Sequence, residues 1–177
     1  MNEYTRLQQA VLSNDILVVS QTLDSVSDVN ITGGSDINVL HYYISMADRL
    51  NYDVNEIVKL MNSKGVNINA QNDKGASPLH FCVARSNSEI ARCLLDRGAS
   101  VDIQDEMGNT PLWRAVMNFR GEKNLLEVIK LLVERGGNPD KENNSGNSPR
   151  KIVLQSHRDI PVIGDPIEWD LQPHLNW

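Results

Sequence analysis

Histidine and cysteine would supply the most consequential chemistry in this chain, and they are few: His41, His80, His157 and His174, with Cys82 and Cys93. His80, Cys82 and Cys93 lie close together in sequence, and thiolate and imidazole are the usual zinc ligands. A zinc site built on them lacks a fourth ligand and any finger-like spacing, so no metal is expected. Both cysteines fall at apolar positions of helices and read as small buried hydrophobes. Two are also too few for a disulfide framework. The sequence contains no H-E-x-x-H, no Gly-rich loop followed by Lys, and no nucleophile elbow. A serine with a histidine far away in sequence makes no triad without geometry. The expectation is a protein that is not an enzyme and takes no cofactor.

Composition narrows the class. The 177 residues are 40% hydrophobic and 23% charged, which fits one soluble unit or a short repeat array. Aromatics are only 5%, so the core must be made mainly of Leu, Ile, Val and Ala. No apolar run approaches the roughly 18 residues of a membrane span. The start, Met1-Asn2-Glu3-Tyr4-Thr5-Arg6, lacks a basic segment followed by an apolar stretch, so a cytoplasmic home is expected. The formal sequon Asn30-Ile31-Thr32 has no meaning there. Net charge is −6, with 8 acidic against 4 basic residues in 1–71. A nucleic-acid binder would show a basic face, and none is apparent. The acidic excess serves solubility or suits a basic protein partner.

What must position His41 and His80 is a repeat. Asn72-Asp73-Lys74-Gly75-Ala76-Ser77-Pro78-Leu79-His80 returns as Asp105-Glu106-Met107-Gly108-Asn109-Thr110-Pro111-Leu112-Trp113, a shift of 33. Ile90-Ala91-Arg92-Cys93-Leu94-Leu95-Asp96-Arg97-Gly98-Ala99 returns as Val128-Ile129-Lys130-Leu131-Leu132-Val133-Glu134-Arg135-Gly136-Gly137 at a shift of 38, so five residues are inserted between. Gly108 and Pro111 reach Gly146 and Pro149 at that same shift. Leu40-His41 stands 39 before Leu79-His80, an insertion of six, and at a shift of 72 Leu7, Ala10 and Val11 meet Leu79, Cys82 and Val83. Units are expected at about 1–32, 33–71, 72–104, 105–142, and a partial one at 143–155. Together they make a repeat domain over 1–155, followed by an irregular tail, 156–177.

The 33-residue period with Ser77-Pro78-Leu79-His80-Phe81-Cys82 and Thr110-Pro111-Leu112-Trp113-Arg114-Ala115 resembles the ankyrin repeat, whose signature is T-P-L-H-x-A. The resemblance covers about 4–155 and is strongest in the middle two units; Val39 stands where the pattern has Pro. It implies an all-α solenoid of four to five helix–turn–helix units with short hairpin tips. Local chemistry agrees. Ser77 and Thr110 suit the N-cap of an inner helix, and the proline after each suits its first turn. Gly75, Gly108 and Gly146 let the tips turn. Leu79, Val83, Ile90 and Leu94 cannot be buried by one unit alone, so neighbours must stack.

The family resemblance also implies the binding surface. Hairpin tips and inner-helix faces form a rigid concave wall in such stacks. By position this selects Asp73, Lys74, Ala76, Ala84 and Arg85, then Glu106, Met107, Asn109, Met117 and Asn118, and Asn144, Ser145 and Asn147 in the last unit. Trp113 takes the slot of a bracing histidine; with Arg114 beside it, the indole either fills space or anchors a partner. The insertions around 46–53 and 118–124 are either tolerated loop extensions or a contact surface carrying Tyr52, Phe119 and Arg120. The tail has prolines at 161, 166 and 173, which exclude a long helix. It either covers the end of the stack or offers Trp169 and Trp177. The Thr110 to Val116 turn and the enlarged loop resemble short bacterial stand-alone ankyrin proteins that act as antidotes. That resemblance implies a monomeric immunity protein that binds a basic secreted toxin domain and contacts neither nucleic acid nor membrane. A generic ankyrin adaptor or inhibitor in signalling or transcription control is the other reading.

Overall fold

The computed structural model describes residues 1–156 together with Ile160 and Ile163. Helices form wherever an apolar stripe follows a capping residue. They are α1 (Glu3–Leu12), α2 (Ile16–Ser25), α3 (Val39–Met46), α4 (Val54–Ser63), α5 (Pro78–Arg85), α6 (Ser88–Leu95), α7 (Pro111–Asn118), α8 (Lys123–Glu134) and α9 (Pro149–Ser156). Among the described residues there is no strand, and no helix is long and apolar enough to cross a membrane. The all-α solenoid implied by the ankyrin resemblance is the architecture found.

The odd-numbered helices form an inner row, α1 on α3 on α5 on α7 on α9. The even-numbered ones form an outer row, α2 on α4 on α6 on α8, and each inner helix from α1 to α7 precedes an outer one. Leu7, Leu40, Leu79 and Leu112 hold the same register in successive inner helices, and none is more than 2% exposed. Val11, Ile44, Val83 and Val116, four residues on, are equally buried. A fully buried Leu is worth about 2 kcal/mol of apolar transfer, and each of these side chains takes part of its cover from a neighbouring helix pair. Ion pairs tie the outer row at its edge, Lys64 to Asp24 at 2.5 Å and Arg135 to Asp96 at 2.5 Å.

Side-chain caps fix where most of the helices begin, α8 after Glu122 being an exception. Thr110 Oγ1 accepts from the Trp113 N–H at 3.1 Å, as the sequence suggests. Asn38 does the same work ahead of Val39, its Oδ1 accepting from both Leu40 and His41 N–H at 3.1 Å. A proline is therefore dispensable there. At Ser77 the bond of note runs the other way: the Ser77 N–H donates to His80 Nδ1 at 3.0 Å, so the histidine reaches back to cap the helix start.

Both enlarged connections lie between an inner and an outer helix. In the first, residues 47–49 form a short 3-10 turn, and the Asn51 N–H donates to Asn14 Oδ1 at 2.7 Å. Tyr52 turns inward, donating to the Val11 carbonyl at 2.9 Å and meeting Tyr43 edge to face at 6.2 Å. In the second, Arg120 donates to the carbonyls of Met117 and Phe119 at 2.8 Å and so closes the end of α7.

At the last inner helix, charge replaces apolar side chains. Arg150 and Lys151 stand 38 residues after Leu112 and Trp113. Arg150 pairs with Asp140 at 2.6 Å, and Lys151 donates to the Gly146 carbonyl at 3.0 Å. Ile160 and Ile163 beyond it are buried, and the Ile163 carbonyl accepts from Arg150. The rest of the expected tail, with His157, His174, Trp169 and Trp177, lies outside the described residues.

Candidate protein-binding surface

Four hairpins, one before each inner helix from α3 to α9, form a row joined edge to edge by backbone bonds. The Asp73 N–H donates to the Ser35 carbonyl at 3.1 Å, Glu106 N–H to Lys74 at 3.0 Å, and Asn144 N–H to Met107 at 3.1 Å. Side chains repeat this linkage. Gln71 Nε2 donates to the Gly75 and Gln104 carbonyls at 2.7 and 3.1 Å; Gln104 Nε2 donates to Gly108 and Glu142 at 2.6 and 3.0 Å. Inside the tips before α5, α7 and α9 one side-chain oxygen holds two amides. Asn72 Oδ1 accepts from Lys74 and Ala76, Asp105 Oδ1 from Met107 and Asn109, and Asn143 Oδ1 from Ser145 and Asn147, all at 2.8 to 3.0 Å. The close approach explains two glycines. A Cβ on Gly75 would lie 2.8 Å from the Glu106 nitrogen, and one on Gly108 would lie 2.6 Å from the Asn144 nitrogen; both residues also have positive φ.

Beneath the tips, histidines brace one hairpin against the next. His41 Nε2 lies 3.1 Å from the Ala76 carbonyl, and His80 Nε2 lies 3.0 Å from the Asn109 carbonyl. Burial pushes both imidazoles down to about 4, against the pull of those carbonyls. Trp113 holds the third such slot and breaks the series: its indole Nε1 is buried and has no hydrogen-bond partner. The indole therefore packs against the core without making the brace.

The site residues selected from sequence separate into four groups. Asp73, Lys74, Glu106, Met107 and Asn118 are exposed, with Met107 at 57%. Trp113, Met117 and Phe119 are half-buried against the core. Ala76 and Asn109 correct the expectation: both are buried, because the residue after each tip glycine turns inward to receive the histidine of the preceding inner helix. Three arginines, Arg85 and Arg114 expected on the wall and Arg120 expected in the enlarged loop, are already engaged within the chain. Arg85 donates to the Ser45 carbonyl at 2.7 Å, Arg120 closes α7, and Arg114 pairs with Asp105 at 2.6 Å.

Sequence reasoning missed Asp105, whose side chain is wholly buried and carries a tip, a helix and an ion pair at once. Burial alone would raise its carboxyl; the bonds from Asn109, Arg114 and Met107 outweigh that and hold it below the usual carboxylate range. Also missed were Tyr42 and Phe81, half-buried at the position after the bracing histidine. Phe81 meets the His41 ring edge to face at 4.8 Å. Reading the column one place beyond His41 and His80 would have found them.

No reactive constellation forms among these residues. Burial pushes the Cys82 and Cys93 thiols up, the opposite of what a nucleophile needs. Among the described residues no group of three or more His, Cys, Asp or Glu is placed to hold a metal ion.

Comparison with known proteins agrees with the geometry. A family model described as ankyrin repeats, in three copies, matches residues 40–145. The chain belongs to the ankyrin-repeat family. Among relatives, the human transient receptor potential cation channel subfamily A member 1 is 35% identical over 109 residues, covering 62% of this chain and 9% of the channel. The putative ankyrin repeat protein FPV230 of fowlpox virus is 28% identical over 102 residues, 57% of this chain and 54% of that protein. NF-kappa-B inhibitor alpha of Gallus gallus is 37% identical over 57 residues, 32% of this chain and 18% of the inhibitor. The chain thus spans less than two thirds of each relative's own length. As an ankyrin-repeat protein it is a protein-binding scaffold, a class that is generally not enzymatic.

Proposed function

We propose that this ankyrin stack docks a partner protein on its row of hairpin tips and the adjoining inner-helix face, and that the partner is a basic secreted toxin domain which the chain neutralises. The observation that carries the docking surface is the backbone bonding from tip to tip, Ser35 to Asp73, Lys74 to Glu106 and Met107 to Asn144. It fixes exposed Asp73, Lys74, Glu106 and Met107 in one row before any partner arrives. A surface already ordered loses little conformational entropy on docking. Exposed Met107 on the tips and half-buried Phe81, Trp113 and Met117 on the inner helices supply apolar contact area, while the tip charges set register.

The finer part, toxin neutralisation, rests on the likeness of Thr110 to Val116 and the enlarged loop to bacterial antidotes, and on the acidic excess in 1–71. Inhibition would be steric, with the rigid wall occluding a cleft or a required surface. A second reading is favoured by the relative named NF-kappa-B inhibitor alpha: an adaptor or inhibitor in signalling or transcription control.

Co-purification with the toxin encoded beside the gene tests the first reading. A stable complex of one monomer with one toxin, and loss of the toxin's activity, are expected. Alanine at Met107, Phe81 or Met117 should weaken that complex at least about tenfold while the melting temperature of Met107→Ala stays unchanged. Failure to bind any neighbouring toxin, together with capture of a signalling or transcription protein, moves the assignment to the second reading.

A further inference from the structure

The two bracing histidines look alike in sequence and in fold, yet their second nitrogens face opposite chemistry. His80 Nδ1 meets two donors, the Ser77 N–H at 3.0 Å and the Ser77 hydroxyl at 2.9 Å. A backbone N–H has no other role, so Nδ1 must carry the lone pair, and the one ring proton sits on Nε2 and is given to the Asn109 carbonyl. Every polar atom is then satisfied by the neutral ring. A second proton would have to lie on Nδ1, where it meets the Ser77 N–H and breaks the helix cap.

At His41 the same nitrogen meets an acceptor. Nδ1 lies 2.8 Å from Asn38 Oδ1. That amide cannot be turned over, because its oxygen already accepts from the Leu40 and His41 N–H groups and its nitrogen donates to the Asn67 carbonyl at 3.2 Å. Nε2 meets the Ala76 carbonyl, another acceptor. A neutral ring has one proton for two acceptors, so one contact is left as lone pair against lone pair. A second proton completes both.

We infer that His41 and His80 form an asymmetric acid-sensitive device: His41 takes up a second proton within the intact stack, whereas His80 stays neutral until acid opens the junction between α5 and α7. Burial opposes charge at both sites, so the difference comes from the hydrogen-bond partners. The surrounding groups are few. His80 feels Asp105 and Arg114 from the next hairpin and helix and His41 from the preceding helix; His41 faces the Ala76 and Ala70 carbonyls, the Asn38 amide and the Phe81 ring. Asp105 and Arg114 are paired at 2.6 Å and offset one another. Because the α5–α7 junction lies in the middle of the proposed docking surface, acidification would weaken that surface at its centre before its edges.

The sign follows from linkage. A histidine neutral in the fold and free to protonate at its ordinary value of about 6.5 when unfolded stabilises the fold above that pH, and the stabilisation is lost as pH falls toward the folded value. Each such histidine makes the unfolding constant rise about tenfold per pH unit in that window.

Side-chain nitrogen NMR on the intact chain, titrated from pH 7 to the onset of unfolding, tests the device. His80 is expected as the neutral form with its proton on Nε2 throughout. His41 is expected to carry its proton on Nδ1 or on both nitrogens, and to become doubly protonated before His80 does. The idea is overturned if His41 holds a bare Nδ1 down to the unfolding pH, or if His80 charges first. Stability against pH gives a second arm. Gln in His80→Gln can still accept from the Ser77 N–H, as in an ordinary capping box, so it removes the titration and spares the cap. His80→Gln should reduce the pH slope of the logarithm of the unfolding constant by about one unit per pH down to the onset of unfolding, whereas the reduction in His41→Gln should fade at a higher pH, where His41 charges in the fold. Effects that stay equal over the whole pH range would count against the inference; if neither variant folds, the NMR arm decides alone.

Discussion

At the scale of single residues, stability is concentrated where one side chain answers to several backbone groups. Asp105 accepts from two tip amides and pairs with Arg114. Asp105→Ala would strand all three donors, and a loss of about 2–3 kcal/mol is expected in denaturant unfolding. Asp105→Asn should cost about 1 kcal/mol, because Asn72 and Asn143 hold the sister tips with an amide oxygen. An Asn variant as damaging as the Ala one would show that the charge, not the acceptor, holds the tip. Trp113 is the converse case. Its indole N–H is buried without a partner, so Trp113→Phe trades some apolar area for relief of an unsatisfied donor. Stability should change by less than about 1 kcal/mol, against more than about 3 for Trp113→Ala. The histidine slots were legible in the sequence because they recur in register. Asp105 was not: its residue type differs from Asn72 and Asn143, and its pairing with Arg114 is a tertiary fact. Ala76 and Asn109 were read as tip residues from adjacency to Gly75 and Gly108, whereas the chain turns inward one residue after each glycine.

At the scale of elements, the period was legible because each unit repeats the same cap, glycine and leucine spacing, and a helix pair that cannot bury its own stripe forces stacking. Even the departures were placed correctly between inner and outer helices. What could not be read was their conformation: Tyr52 folds back on the Val11 carbonyl and Arg120 closes α7, contacts that depend on residues 41 positions away or on local turn geometry. The glycines give a test that separates backbone conformation from crowding. Gly98 has positive φ, and a Cβ there would meet nothing within 4 Å, whereas at Gly108 the Asn144 nitrogen would lie 2.6 Å away. Gly98→Ala should therefore cost only the left-handed penalty, about 1–2 kcal/mol. Gly108→Ala should cost distinctly more, and the excess should appear as faster amide exchange at Asn144, whose N–H bonds to the Met107 carbonyl. Equal losses would mean that the tip can move aside without consequence, contrary to a rigid row.

At the scale of the whole molecule, the main packing between the described helices runs from neighbour to neighbour along each row: α3 on α5, α5 on α7, α7 on α9 in one and α4 on α6, α6 on α8 in the other. Stability in such an array is a sum of unit terms and interface terms, so position along the line decides how far damage spreads. Leu112 is fully buried in α7, which packs on both α5 and α9. Leu112→Ala should cost about 3–5 kcal/mol and lower hydrogen-exchange protection on both sides, in α5 as well as α9, because two interfaces lose a shared knob. Ile152 lies in α9, which packs mainly on α7. Its replacement by Ala should cost less, about 2 kcal/mol, and leave protection in α3 and α5 unchanged. The distinction bears directly on function. If the docking row is held by nearest-neighbour bonds alone, an end defect should spare partner affinity at Asp73 and Lys74, while the central one should reduce it. Uniform loss of protection along the whole chain in the Ile152 variant would instead show one all-or-none unit, and the tips would then have to be regarded as a single cooperative surface.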